Sequence, residues 1–146
     1  MYLTYDEYQA YGGTLDEASF QDLEFDAEST INWYTFNRLF KPEWAEALNS
    51  EQLKRCVYQL IRLKQLENEL LMGGIGGAGT GWEHGAGIVK ESNDGVTTEY
   101  NVLSSGDLLA YAQGTKPKKE LIDRYLSSII NDLGRRLLYR GLYPGE

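Results

Sequence analysis

Residues 51–72 carry the pattern that narrows the choices furthest. Leu53, Cys56, Val57, Leu60, Ile61, Leu63 and Leu70 recur at helical spacing on one broad face, and Lys54, Arg55, Arg62, Lys64, Glu67 and Glu69 occupy much of the rest. An apolar face this wide needs two neighbours, as in a helical bundle. Ser50 stands at the N-cap position, so the spacing predicts a helix over 51–72. Cys56 lies on its apolar face with no histidine or other base close in sequence, which reads as a buried, inert thiol. A lone cysteine forms no internal disulfide and suits a reducing compartment.

Candidate neighbours lie on both sides. Thr4 with Glu7 forms a capping box for a short helix that Gly12 and Gly13 end. Thr14 with Glu17 repeats the box and predicts a helix over 15–40, with Phe20, Leu23, Ala27, Ile31, Tyr34 and Arg38 on its core stripe. Thr30, Trp33 and Thr35 weaken its second half, and Pro42 starts a new turn that leads into a short helix over 43–48. Toward the other end, 107–113 reads as a helical turn closed by Gly114. Thr115 as cap and Pro117 in the first turn then predict a last helix over 116–139. Leu121, Ile122, Tyr125, Ile129, Leu133 and Leu137 form its stripe, which Leu126, Ile130 and Leu138 widen. Gly134 falls inside that helix, at a cost of about 1 kcal/mol against alanine. Gly141 stops it, and 142–146 is a tail.

Between these helices, Gly74 to Gly79 spell a literal G-x-G-x-x-G. A dinucleotide fingerprint needs a strand before it and a helix after it, and here the order is reversed. No Lys-Ser or Lys-Thr follows, so a phosphate-binding P-loop is excluded too. Residues 73–87 therefore read as a flexible glycine-rich loop, with Trp82 and His84 as anchors onto a neighbouring surface. Next, Ile88–Glu91 and Val96–Val102 have strand composition around a Ser-Asn-Asp-Gly turn. The expected fold is mainly α, a small bundle of four to five helices with one β-hairpin between the central and C-terminal helices.

The length of 146 residues indicates one domain, 1–146, large enough for a core of its own. No apolar window is long enough to span a membrane, and the first residues lack the basic and apolar regions of a signal peptide. The net charge of −8 argues against general nucleic-acid binding, which needs clustered phosphate-neutralising charge. The charge is polarised. Residues 1–37 contain Asp6, Glu7, Asp16, Glu17, Asp22, Glu24, Asp26 and Glu28 but no lysine or arginine, whereas Lys116, Lys118, Lys119, Arg124, Arg135, Arg136 and Arg140 lie near the other end. The single histidine, His84, makes a poor triad base and a poor start to a metal site, and Glu24 with Glu28 reads as a solvated pair. No catalytic, cofactor or metal residues are assigned. Tyr2, Tyr5, Tyr8, Tyr11, Tyr139 and Tyr143 gather at the chain ends, where they serve either an interface or the core edge.

The opening 39 residues, the stretch Gly87–Val102 and the closing Tyr125–Leu142 resemble the small head–tail connector, or head-completion adaptor, proteins of tailed phages and prophages. The resemblance rests on Leu-Asp-Glu (Leu15–Glu17), Thr-Phe-Asn-Arg (Thr35–Arg38), a Lys-Glu-Ser arm and Leu-Leu-Tyr-Arg-Gly (Leu137–Gly141). It implies a non-enzymatic structural adaptor, built into the virion after assembly in the bacterial cytoplasm. Such a protein forms a ring between the portal and a tail-side head-closure protein, and DNA passes through without sequence-specific binding. Two expectations follow for this chain. Asp16, Asp22, Asp26 and Glu28 repel phosphate along a channel. The acidic N-terminal helix of one copy meets the basic last helix of the next, through residues such as Arg135, Arg136, Tyr139, Arg140 and Tyr143. A small prophage-encoded regulatory or host-protein-binding module is the alternative.

Overall fold

A computed structural model describes residues 1–75, 90–93, 96–99, 110–111 and 113–143. They are mainly helical. Helix α1, Tyr5–Ala10, opens on the expected capping box: the Glu7 amide donates to Thr4 Oγ1 at 3.3 Å and the Thr4 amide donates to Glu7 Oε2 at 3.0 Å. Tyr8 is fully buried, and its hydroxyl accepts from the amides of Thr14 and Leu15 at 3.2 and 3.3 Å. The turn after α1 lies against this ring so closely that a Cβ at Gly13 would sit 2.1 Å from it, so only glycine fits.

Helix α2 spans Glu17–Tyr34, shorter than the expected 15–40. Asp16, not Thr14, caps it, accepting from the Ser19 amide at 3.0 Å. Its C-terminus is a Schellman motif in which the Asn37 amide donates to the Asn32 carbonyl at 2.9 Å and the Phe36 amide to that of Trp33 at 3.4 Å. Glycine usually takes the left-handed position there, but Phe36 and Asn37 do so at φ 54° and 57°. Two 3₁₀ turns, Arg38–Phe40 and Pro42–Trp44, lead into the single-turn helix α3, Ala45–Leu48.

Helix α4, Glu51–Ile75, is the central element, with Ser50 Oγ accepting from the Leu53 amide at 3.3 Å. It runs through Gly73 and Gly74, past the expected end at residue 72. The rest of the glycine run, residues 76–87, lies outside the described residues. Helix α5 spans Thr115–Leu126. Both α2 and α5 pack on α4, which supplies the two neighbours its apolar face requires. Leu53, Cys56, Val57, Leu60 and Ile61 are buried there, with Phe20, Ala27 and Ile31 from α2 and Ile122 and Leu126 from α5. Each large aliphatic or aromatic side chain buried this way contributes about 1.5–3 kcal/mol.

The expected helix over 116–139 is overturned beyond Leu126. The chain turns at Ser127–Ser128 and forms a tight reversal in which Ile130 and Arg136 make an antiparallel bridge. Asn131 Oδ1 accepts from the amides of Leu133 and Arg135 at 3.1 and 2.9 Å, and Gly134 takes φ +73°. This is the three-residue hairpin geometry, a turn closed by a left-handed glycine. Gly134 is therefore the pivot of a turn, not an interior helix residue. Ile129 and Leu137 do enter the core, but from opposite sides of the reversal, whereas Ile130 and Leu133 face solvent.

Of the expected turn at 107–113, residues 110, 111 and 113 are described and helical. Lys90–Asn93 and Val96–Glu99 pair antiparallel, with Lys90 opposite Glu99 and Asn93 opposite Val96. The expected turn residues 94–95 lie outside the described residues. Among the described residues, a hairpin built into the bundle is not carried; the architecture they define is helical.

Candidate interaction surface

The core stripe of α2 runs through Phe20, Ala27 and Ile31, and Glu24 is buried on the same side. Glu24 Oε1 accepts from the Tyr2 amide at 2.6 Å and, more weakly, from that of Leu3 at 3.4 Å. Tyr2 donates its hydroxyl to Asn32 Oδ1 at 2.5 Å, and the Met1 amine lies 2.5 Å from Glu28 Oε2. Burial, seconded by the charge of Glu28, pushes the Tyr2 hydroxyl up to about 12. One edge of α2 is thus used to hold the chain's first residues.

The opposite side of α2 is uncovered. Phe25 and Trp33, two turns apart, are 68% and 73% exposed. Asp22 and Asp26 flank Phe25 and are exposed as well. The Tyr34 ring meets Trp33 edge-on at 4.8 Å. Phe36 and Phe40, just past the helix, are also exposed. Large aromatic side chains standing in water beside acids form a surface suited to a protein partner.

A second uncovered surface lies on the C-terminal reversal. Ile130 and Leu133 are exposed, as are Arg136 and Arg140. Behind it stands Arg38, which is 1% exposed. Its guanidinium donates to the carbonyls of Leu137 at 3.0 Å and Gly141 at 2.7 Å, and also to that of Tyr139. The rings of Tyr143 and Phe36 lie 4.9 and 5.4 Å from its centre. The planar fork of arginine suits such a multi-carbonyl site, and a lysine ammonium does not.

The candidate residues divide sharply. Asp16 is the cap of α2, and the Ser19 amide holds its carboxyl below the usual range. Glu28 meets the Met1 amine, while Asp22 and Asp26 stand on the aromatic face. Arg135 is half-buried and faces inward, with Nη1 3.5 Å from Glu43 Oε1 and its guanidinium 5.1 Å from the Tyr143 ring. Tyr143 clasps Arg136, its hydroxyl accepting from the Arg136 amide at 2.7 Å and donating to the same residue's carbonyl at 3.0 Å. Its ring also packs on that of Tyr139 at 4.9 Å. Trp82 and His84 lie outside the described residues. The N-terminal tyrosines belong to the core: Tyr8 packs on Phe20 at 4.9 Å and on Tyr58 at 5.8 Å, and Tyr11 on Tyr58 at 5.5 Å.

Sequence reasoning missed Phe25, Trp33, Phe36 and Phe40. A signal existed, because Phe25 and Trp33 are eight residues apart and fall off the stripe through Phe20, Ala27 and Ile31. As for chemistry, Cys56 is buried and desolvation pushes its thiol up to about 12, so it stays protonated. Among the described residues, no group of three or more His, Cys, Asp or Glu side chains could hold a metal ion, and no helix is long and apolar enough to cross a membrane. An open groove between α4 and α5 is lined by Tyr58, Arg62, Tyr111, Glu120 and Arg124. Comparisons of the chain with known protein families, curated proteins and solved structures find no match.

Proposed function

We propose that this protein is a structural adaptor of a tailed-phage or prophage virion, positioned between the portal and the tail-side head-closure protein. The observation that carries this reading is the outward aromatic face of α2, where Phe25 stands in water between Asp22 and Asp26 and Trp33 stands exposed two turns further on. Such a face costs solubility unless a partner covers it. The connector-like motifs add support. Thr35–Arg38 and Leu137–Gly141 lie about a hundred residues apart in sequence, yet Arg38 binds the carbonyls of Leu137, Tyr139 and Gly141. In this reading the pair Lys90–Asn93 and Val96–Glu99 is the hairpin arm that reaches a neighbouring subunit. The net charge of −8 keeps an assembled ring from holding DNA phosphates during passage.

Co-expression with the portal protein encoded by the same genome tests this directly. The expected outcome is a stable co-purifying complex with an added ring of density in electron micrographs. A chain that ignores the portal and instead binds one host regulatory protein stoichiometrically overturns the adaptor reading and establishes the alternative of a host-binding module.

A further inference from the structure

We infer that the aromatic face of α2 is covered by the C-terminal reversal of a second copy of this chain. The inference deepens the adaptor reading and rests on it. Its basis is complementarity between two surfaces that are exposed at once on one molecule. The α2 face offers Phe25 beside two carboxylates, Asp22 and Asp26, with Trp33 exposed two turns further along the helix. The reversal offers exposed Ile130 and Leu133, with Arg136 opposite Ile130 across the bridge and Arg140 exposed a few residues further on. Apolar groups thus meet apolar groups, and each acid finds a base.

Two copies pairing α2 face to α2 face would oppose acid with acid, which disfavours a two-fold contact. Pairing unlike faces is heterologous, and a heterologous contact repeats from copy to copy, closing into a ring when its rotation divides a full turn. The surfaces cannot satisfy each other within one chain. The aromatic face points away from α4, and the reversal is tied down by Arg38, by the Arg135–Glu43 pair and by the Tyr143 clasp. Arg135 is therefore no part of this contact, and the aromatic side chains supply most of its strength while the charges set its orientation.

Sedimentation velocity of the full chain over a wide concentration range, alone and with the portal protein, tests the contact. Phe25→Ser with Trp33→Ser is expected to weaken self-association at least about tenfold, and Leu133→Ser to act in the same direction. Asp22→Lys with Asp26→Lys weakens it too, and adding Arg136→Glu with Arg140→Glu restores it. All these positions are solvent-exposed, so unchanged circular dichroism is expected to accompany each loss. A Phe25→Cys protein mixed with a Leu133→Cys protein is expected to form a disulfide-linked pair, in solution or on the portal. A chain that stays monomeric and gives no such cross-link on the portal overturns the inference, as does association unaffected by both the aromatic and the charge variants. Portal binding that survives these failures leaves the adaptor reading standing. A cross-link that forms with no portal binding removes that reading and leaves the contact.

Discussion

The two ends of the chain are both rich in tyrosine, and they are held by different physics. At the N-terminal end, Tyr8 is fully buried against Phe20 and Tyr58, and α1 is held by apolar packing. At the C-terminal end, Leu137 is buried in the core, but past it Tyr139 is 49% exposed and the carbonyls of Tyr139 and Gly141 converge on Arg38. Packing is spread over many contacts and belongs to the cooperative core. An anchor concentrated on one cation can let go locally while the bundle stays folded. The N-terminal arm is thus part of the folding unit, while the segment past Leu137 is fastened mainly through one side chain.

Truncation of each anchor breaks this contrast in its own way. Tyr8→Ala has the largest expected effect, a loss of about 3–5 kcal/mol, as for other buried aromatics. Because the loss is global, urea unfolding monitored by far-ultraviolet circular dichroism and by tryptophan fluorescence should shift to a lower midpoint together. Arg38→Ala comes next, at about 2–3 kcal/mol, the range of a hydrogen bond to a charged group whose partners become unpaired. Here the effect should be local: hydrogen exchange at Leu137 and Tyr139 accelerates strongly while that of Leu53–Ile61 changes little. Arg38→Lys should recover only part of the loss, because an ammonium cannot span three carbonyls in the plane of a guanidinium. Uniform acceleration across both regions would show that the reversal and bundle open as one unit.

The smallest effect is on pH dependence at the N-terminal end. The hydrogen bond from Lys54, with help from the Thr4 amide, holds the Glu7 carboxyl below its ordinary value of 4.5. A lowered carboxylate contributes stability above its unfolded-state value and loses it as pH falls through the folded-state value. The Glu7–Lys54 pair should therefore help at neutral pH and fade below about pH 4.5. The pair is partly exposed, so its contribution is about 0.2–1 kcal/mol. Comparing urea midpoints at pH 6 and pH 3, Glu7→Gln should shrink the difference slightly, with Asp16 and Glu51, also lowered, keeping the rest. An unchanged difference would mean that Glu7 is no better placed in the folded chain than in the unfolded one.

Legibility in the sequence followed the range of the interaction. The α1 capping box, the Ser50 cap and the wide face of α4 were readable because each depends on residues within one or two turns. The last helix departs from its sequence pattern for a specific reason. Ile129 and Leu137 prolong the three-four spacing of Leu121, Ile122 and Leu126, but they reach the core across a hairpin. The Asn131-Asp132-Leu133-Gly134 turn signal was present and was outweighed by that periodicity. The end of α2 was hidden because Phe36 holds the left-handed position that a glycine would have advertised. Of the candidate surface, the charges of Asp22, Asp26, Arg136 and Arg140 were legible, and the exposed aromatic residues Phe25 and Trp33 were not.

By itself, the sequence determined the caps of α1 and α4, the faces that the helices bury and that α4 needs two partners, since caps and periodicity act over a few residues. Only the tertiary structure decided that Arg38 is a buried clamp for carbonyls 99 to 103 residues away. Nor could charge alone tell that Arg135 turns inward to Glu43 while Arg136 faces water. Neighbouring residues of identical charge differ only in the surroundings that packing brings to them, and those surroundings come from distant parts of the chain.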